Sequence, residues 1–372
     1  MNKLILLITS FLTSVLNLFS FGQKDWGEIL RDNITPKLFT EAYYSTNALN
    51  IEVNERPDYF YNYKKLNELG LNTAIIGFDF DYRRVRSSIS FIGGNYATYN
   101  IQEPDGLKHI YEANVGYKLL KHHNLWLDAG VMESNLGFES VVSSSNTTMT
   151  RSLLAESSPY YLNAVKLSYT TYAKDWLFEV LLSNGWQKMT AGRPSLGHTI
   201  QFYPNDHWTV NSSSFIGEVR KPIGNNFKLY NRFFHNFYVQ YEGEKTQFVI
   251  GVDYGFDRDK PTLPTESWEA YIGQFTYCFN DKISSTIRGT YFRQIGRAQL
   301  IEYATSPIPS SIWSSSVTIG IQLHELIKLK LEAWYSRNQI TYGFFPGPPN
   351  YYYGPEESLF LGTSISIDLW NH

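Results

Sequence analysis

Charged residues in a serine-rich stretch have the chemistry to line a path for polar solutes. Residues 134–161 contain eight serines and three threonines, and Glu133, Glu139, Arg151 and Glu156 lie in or directly beside this stretch. Small hydroxyl side chains hydrogen-bond water and leave space open, while fixed charges at a constriction select among ions. The stretch favours a polar constriction, with an ordinary surface loop as the alternative.

A second group has the residue types of a hydrolase. Ser195, His198, Asp206 and His207 supply a nucleophile, bases and an acid within a short span. Nearness in sequence supports such a set only weakly, because its members are defined by geometry. The sequence has no G-x-S-x-G, P-loop or H-E-x-x-H motif. The single cysteine, Cys278, can form neither a thiolate metal cluster nor an intramolecular disulfide, and we interpret it as a packing residue. We expect no catalytic residue, no cofactor and no metal.

The first residues have the pattern of a secretory signal. Met1-Asn2-Lys3 is basic, residues 4–21 are mostly apolar, and Ser20-Phe21-Gly22 presents small residues where a signal peptidase reads. We predict a signal peptide over residues 1–22 and a mature chain from Gln23. No later window holds 18 uninterrupted apolar residues, which excludes helical spans but not membrane strands. The net charge of −3 argues against a nucleic-acid partner.

Residues 311–323 alternate with a period of two, which indicates a β-strand. Trp313, Val317 and Ile319 lie on one face, opposite Ser314, Ser316 and Thr318. The same alternation occurs at 327–335 and 361–369. It also occurs at 110–119, where Tyr111, Ala113, Val115 and Tyr117 oppose Glu112, Asn114 and Lys118.

The connections between strands alternate between short and long. Seven short ones lie near 79–83, 121–124, 173–175, 204–207, 242–245, 280–282 and 324–326. Eight long ones lie near 48–67, 99–107, 133–161, 185–197, 217–226, 257–265, 297–310 and 343–357. This pattern predicts about sixteen strands with both termini on the short-turn side. If the weak segments 198–203 and 208–216 do not span, the count is fourteen, and twelve is a further alternative.

This layout is typical of a transmembrane antiparallel β-barrel, with short periplasmic turns and long extracellular loops. In hydrocarbon the sheet must close, since an open edge would leave backbone groups unpaired. A secreted all-β protein is the alternative, and it does not explain the order of the connections. Aromatic residues near the strand ends fit the two membrane interfaces: Trp313, Tyr117, Tyr335, Phe256 and Tyr271.

The predicted barrel covers residues 38–372, after a periplasmic lead-in at 23–37 for which a flexible segment is favoured over a docked helix. The stretch 133–161 is its third long loop and a possible constriction loop. We expect the polar strand faces to line the lumen, with charged candidates at Glu112, Lys166, Arg232 and Arg288. A basic wall facing an acidic loop predicts a transverse field across the pore, and the alternative is that most of these charges are paired or solvated and set no field.

The third loop also carries the residues of a family resemblance. Gly137, Phe138, Glu139, Thr150, Arg151, Ser158 and Pro159, followed by Lys166-Leu167-Ser168-Tyr169, resemble the OmpL-like β-barrel porin family (β-barrel porin-2) of Bacteroidota. The resemblance is strongest over about residues 68–190. It implies an outer-membrane porin and supplies no catalytic residues, and the motif residues serve either loop folding or transport.

We therefore expect a porin of the Gram-negative cell outer membrane that allows passive diffusion of small hydrophilic solutes or ions. Its partners are then outer-membrane lipid and those solutes, and a homotrimer is an assembly consistent with this class. The alternative is a non-transporting barrel that acts as a hydrolase or as a surface binding module, the latter through the Tyr-rich loop 343–357.

Overall fold

The computed structural model describes residues 26–57, 59–101, 103–223, 226–259, 266–295, 311–339 and 357–369. The predicted signal peptide 1–22 and the predicted loop 297–310 lie outside the described residues, as do most of the predicted loops 257–265 and 343–357.

Sixteen antiparallel strands form one closed barrel, in which every strand pairs with its neighbours in sequence. The barrel closes where β1 pairs with β16, from Phe39 opposite Asp368 to Asn47 opposite Phe360. The strands are β1 (Ile34–Asn47), β2 (Leu69–Tyr82), β3 (Val85–Gly93), β4 (Ile110–Lys118), β5 (Asn124–Glu133), β6 (Tyr161–Thr170), β7 (Trp176–Ser183), β8 (Ser195–Phe202), β9 (Trp208–Ile223), β10 (Asn226–Glu242), β11 (Thr246–Arg258), β12 (Glu266–Asn280), β13 (Ile283–Ile295), β14 (Ser311–His324), β15 (Ile327–Gln339) and β16 (Glu357–Asp368). The predicted fold is confirmed, and the weak segments are full strands, β8 and β9.

Within the described residues, helices are few and short. They are α1 (Trp26–Asn33), α2 (Asn95–Asn100) and α3 (Leu153–Glu156), with one 3-10 turn at Ser143–Ser145. None of the described helices is long and apolar enough to cross a membrane. The lead-in contains α1, which packs near β2 with Ile29 buried, so the structure has the helix that we favoured less. Residues 34–37 already belong to β1.

Seven short turns join the strands at one end of the barrel, which we call the turn side; the other end is the loop side. Of the connections on the loop side that the structure describes wholly or almost wholly, three are long: L1 (48–68), L2 (94–109) and L3 (134–160). The predicted loop 217–226 is wrong, because β9 continues to Ile223 and β10 begins at Asn226. Gly217 is not a turn residue here. It lies in a strand where a Cβ atom would come within 2.0 Å of Ser195 Oγ.

Aromatic side chains form two bands on the outer surface. On the turn side Trp176 stacks on Phe202 with ring centroids 4.4 Å apart, and Tyr241 stacks on Phe248. On the loop side Trp313 lies 4.2 Å from Tyr291 and is 61% exposed. Exposed apolar residues lie between the bands, as expected for a barrel that crosses a bilayer.

The inner surface is not polar throughout, contrary to our expectation for the lumen face. On the loop-side half of the later strands it carries buried apolar side chains: Phe215, Phe234, Trp268, Phe292, Ile312, Trp334 and Phe360. Residues of L1 and L3 pack on them, among them Tyr59, Phe60, Leu136, Leu153 and Leu154. The two loops therefore turn inward and form a hydrophobic core inside the barrel, because this removes apolar surface from water.

Tyr111 also departs from the predicted alternation. The pairing of β3 with β4 shifts between Ser90 and Phe91, which are opposite Glu112 and Ile110. This bulge leaves Tyr111 without a direct partner, and its ring is 1% exposed beside Tyr160 of L3. Tyr111 and Glu112 therefore both serve the lumen, whereas the sequence pattern placed them on opposite faces.

Candidate functional site

L3 crosses the lumen from β5 to the opposite wall and returns to β6. Near its start, Asn135 donates a hydrogen bond to Thr199 of β8, and the Phe138 ring lies 5.4 Å from Tyr238 of β10. Further along, residues 143–150, which we call the L3 tip, are bonded to β1, β12, β13, β15 and β16. All four predicted constriction residues are thus on or at the base of a loop that lies inside the barrel.

Two buried carboxylates of the wall accept hydrogen bonds from the tip. Glu332 of β15 accepts from the backbone N–H groups of Met149 and Thr150, at 3.0 and 3.2 Å. Glu41 of β1 accepts from Ser143 Oγ at 2.7 Å and from Tyr63 of L1 at 2.9 Å. A carboxylate that accepts several hydrogen bonds is stable when buried, so these two residues hold donors of the loop in fixed positions.

Two buried cations of the wall bind the carbonyl groups of the tip. Lys330 Nζ donates to the carbonyl oxygens of Asn146 and Thr148, both at 2.7 Å, and also to that of Ser143. Arg288 Nη1 donates to the carbonyl oxygen of Thr150 at 2.7 Å. A non-helical loop at membrane depth must satisfy its backbone groups with protein partners, and these side chains do so.

Glu139 does not present a free charge to the lumen. It forms an ion pair with Arg288, with 3.3 Å between Oε1 and Nη1, and the two side chains are 3% and 1% exposed. It also accepts from the backbone N–H of Ser152, the N-cap of α3, at 2.9 Å. The expected transverse field between a basic wall and an acidic loop is therefore wrong for this pair, because the two charges neutralise each other.

Arg151 and Glu156 connect L3 to the other inward elements. Arg151 donates to the carbonyl oxygen of Ala155 at 3.2 Å and to the hydroxyl of Tyr96 in α2. Glu156 Oε1 accepts from Asn62 of L1 at 2.6 Å. Both charged residues are buried, and burial raises the pKa of Glu156 to about 7.

A cavity of about 250 Å³ lies between the base of L3 and β10. Glu133, Glu139 and Arg151 line it on the loop side, and Tyr238 and Gln240 line it from the wall. Glu133 accepts a hydrogen bond from Tyr111 at its edge. Three of the four predicted constriction residues therefore adjoin one cavity, and Glu156 does not line it.

The residues of the family motif mainly hold L3 in shape. Gly137 has a φ of 97°, which only glycine adopts readily, at the point where the loop turns. Thr150 binds Glu332, and Ser158 Oγ donates to the carbonyl oxygen of Ala155 at 3.0 Å. Phe138 packs on Tyr238, and Pro159 lines the cavity. Of the two roles that the sequence left open, the contacts favour loop folding.

The early strands present a wall of paired charges. Lys37 Nζ lies 2.7 Å from Asp79 and 2.9 Å from Glu112, and Lys166 lies 3.2 Å from Glu179. Arg86 pairs with Asp128 in the same way, at 2.6 Å. Of the four predicted wall residues, Glu112 and Lys166 belong to this wall and Arg288 holds the tip. Arg232 is 2% exposed, bound to Asp257 by two 2.8 Å hydrogen bonds, and lies in the inner core.

A second cavity, of about 570 Å³, lies on the turn side beneath the L3 tip. Thr147 of the tip, Lys245 and Lys328 contribute to its lining. Cys278, at the end of β12, is half-buried and also contributes to the lining.

The structure does not bring the hydrolase candidates together. Ser195 faces inward and its hydroxyl donates to the carbonyl oxygen of Arg193 at 3.0 Å. His198 lies on the outward face of the same strand, and His207 lies in the turn that follows it, against the carbonyl oxygen of Glu242. Within the described ranges, no cluster of histidine, cysteine and acidic residues has the arrangement of a metal site.

The folded conformation of L3 should be more stable below pH 7 than above it. Burial raises the pKa of Glu156 to about 7. Between the ordinary carboxyl pKa and about 7, the Glu156 carboxyl is therefore protonated in the folded loop and ionised in the unfolded chain. Stability is therefore lost as the pH rises from the ordinary carboxyl range to about 7, and it levels off above that. Hydrogen exchange of amides 152–158, corrected for intrinsic rates, should be faster at pH 8 than at pH 6. Glu156→Gln should remove this difference, and an equal pH dependence in that variant would contradict the assignment.

Comparisons with known proteins agree with this architecture. A model of the family described as "Putative beta-barrel porin-2, OmpL-like" matches residues 33–367. The chain matches none of the curated proteins with which it was compared.

Among solved structures, the chain is similar to the outer membrane channel DcaP of Acinetobacter baumannii, with 11% identity, a TM-score of 0.58, and coverage of 90% of this chain and 96% of that one. It is similar to an anion-selective porin from Comamonas acidovorans, with 6% identity, a TM-score of 0.56, and coverage of 90% and 99%. It is also similar to the trimer form of OmpT from Vibrio cholerae, with 8% identity, a TM-score of 0.56, and coverage of 90% and 98%. At these identities the likeness concerns the fold.

Proposed function

This chain belongs to the β-barrel porin-2, OmpL-like family and is an outer-membrane porin, and from this premise we propose that small hydrophilic solutes or ions diffuse passively through its lumen past the L3 tip. The observation that carries the proposal is the fixed course of L3. The loop is bonded to the later strands and to β1, and the early strands carry a wall of paired charges.

Selectivity between cations and anions should be weak along this wall. Lys37, Arg86 and Lys166 each have a carboxylate partner within 3.2 Å. Adjacent opposite charges cancel at distances longer than their separation, so neither sign of ion gains a large advantage. Polar solutes without net charge also find donors and acceptors in these pairs.

The assembly that we propose is a homotrimer. The support is a likeness of fold to OmpT of Vibrio cholerae, which has been solved in a trimer form. Each copy would then contain its own lumen and its own L3.

Single-channel recording in a planar bilayer tests conduction. Purified, heat-modifiable protein should give stepwise ohmic currents, with a reversal potential near zero under a salt gradient. Folded protein that gives no current would overturn the proposal. A large reversal potential would instead overturn the weak selectivity while leaving conduction intact.

Modification of Cys278 should lower the conductance. The thiol lines the turn-side cavity beneath the tip, so a sulfonate-bearing methanethiosulfonate reagent would place bulk and charge in the path. Cys278→Ser is the control and should conduct normally without responding to the reagent. If mass spectrometry confirms full modification of Cys278 and the current is unchanged, the conduction path does not pass through the turn-side cavity.

A further inference from the structure

Three adjacent strands place polar side chains on the outer surface of the barrel. His198 of β8 and His235 of β10 both pair with Ser214 of β9, which lies between them. Their neighbours face inward, since Thr199 binds L3 and Asn236 binds Asp253 in the lumen. His198, Ser214 and His235 therefore point to the outside of the barrel, as does Ser212 two residues before Ser214; Ser214 itself lies between the two histidines and is 5% exposed. We call these four residues the His–Ser patch.

The patch lies between the two membrane interfaces. Ser214 is six residues from Trp208 in the turn-side aromatic band, about 20 Å along the strand at about 3.3 Å per residue. On the other side, Glu218 lies 3.7 Å from Arg193 at the charged loop-side rim, about 13 Å along the strand from Ser214. Leu196 and Ile216, each 57% exposed, flank the patch on the loop side. The apolar surroundings place it within the hydrocarbon band.

Lipid tails cannot form hydrogen bonds with the polar groups of this patch. Ser214 Oγ lies 2.7 Å from Nδ1 of His235. If the serine hydroxyl donates to that nitrogen, the neutral ring keeps an N–H donor on Nε2. No hydrogen bond joins His198 to another residue within the described strands, so its ring adds a donor and an acceptor. Polar groups in hydrocarbon are costly unless they are paired.

We propose that the His–Ser patch is the surface on which a second copy of this chain packs within the membrane. A partner must bring hydrogen-bonding groups to the same depth, which lipid headgroups at the rim do not reach. A second barrel does so, and because the patch holds both donors and acceptors, each copy carries what the other needs. Ser212 and Ser214 are small, which lets two surfaces approach closely. The inference rests on the homo-oligomer of the proposed function and is independent of conduction.

Photo-crosslinking locates the contact in the intact protein. In a Cys278→Ser background, Ser212→Cys carries a benzophenone maleimide, and illumination in lipid bilayers should give an adduct of twice the chain mass. Val317→Cys is the matched control, because Val317 is 49% exposed on the outer face of β14, five strands away from β9 around the barrel. Adduct formed from position 212 and not from position 317 supports the proposal. Equal adduct from both positions, or none from position 212, overturns it.

The double variant His198→Leu/His235→Leu is the second measurement. Leucine suits a lipid-facing position, so the barrel should fold and remain heat-modifiable while the oligomer dissociates on native gels. An oligomer as stable as the wild type would overturn the proposal. Conductance for each barrel should stay unchanged, and loss of current with the oligomer intact would count against the porin function instead of the interface.

Discussion

Removing L3 from the lumen should raise the single-channel conductance several-fold. The deletion joins Gly137 to Ser158, which is practicable because a Cβ on Gly137 would lie only 3.9 Å from Ser158 Oγ. It removes the tip and α3, so the cross-section beside the early strands widens to most of the barrel. Planar-bilayer recording of the heat-modifiable variant measures the effect.

A locked loop is the counterpart of this deletion. Thr286 Oγ1 donates to the carbonyl oxygen of Thr147 at 3.2 Å, so cysteines at these two positions, in a Cys278→Ser background, can tie the tip to β13. The oxidised variant should keep the wild-type conductance with fewer fluctuations. A folded deletion variant with unchanged conductance would show that L3 does not set the narrowest section.

Arg288→Met should release L3 from the wall. The substitution leaves the carboxylate of Glu139 buried without its cation. It also removes the hydrogen bonds that Arg288 Nη1 donates to Thr148 Oγ1 and to the carbonyl oxygen of Thr150. Breaking one side of a buried ion pair costs about 3–5 kcal/mol. Arg151 is the one basic residue of L3, so trypsin can cut the loop only after Arg151. The rate of this cleavage, measured by mass spectrometry of the fragments, reports on the opening of the loop. Cleavage should be much faster in the variant than in the wild type.

Two further variants separate release of the loop from general destabilisation. Arg288→Met/Glu139→Gln removes both charges, so it should recover much of the resistance at Arg151. Arg232→Met breaks an equally buried pair with Asp257 outside L3, and it should lower stability without exposing Arg151 selectively. If Arg232→Met and Arg288→Met expose Arg151 equally, the pair with Glu139 is not what holds the loop.

Strand number and direction follow from the sequence because a membrane strand must face lipid on one side. In β14, Trp313, Val317 and Ile319 are exposed and Ser316 and Thr318 are buried, as the alternation predicts. The seven short turns also lie where predicted, since tight connections leave little freedom in register.

The inner core could not be predicted from this alternation. Trp268 and Ile272 face inward while Tyr271 faces outward, so both faces of the same strand are apolar there. An apolar strand face can contact either lipid or a loop inside the barrel. The choice depends on whether L1 and L3 turn inward, and the periodicity of the strands does not predict the course of these loops. The predicted loop 217–226 failed for a related reason, because its glycine serves a close approach to Ser195 and not a turn.

The sequence predicted where the candidate site lies but did not predict which contacts its residues make. Glu139 and Arg151 lie inside the barrel as the loop assignment required, yet their contacts serve the loop itself. The partners of the tip, Glu332 and Arg288, are more than 130 residues away in sequence, so no local pattern links them. Glu41 and Glu332 share their strand faces with lysines, Lys37 in β1 and Lys328 and Lys330 in β15, so their charges do not stand out in the sequence.

The anchoring of the tip also bears on how the barrel is assembled. Ser143 donates to Glu41 of the first strand at 2.7 Å, and the adjacent Ser144 donates to Asp368 of the last strand at 2.5 Å. Two consecutive loop residues therefore bridge the seam where the ends of the sheet meet. Their complete binding site exists only after β16 has joined β1, so docking of L3 is a late step of biogenesis. Once docked, the loop acts as a staple across the seam, and a chain that has not closed lacks it.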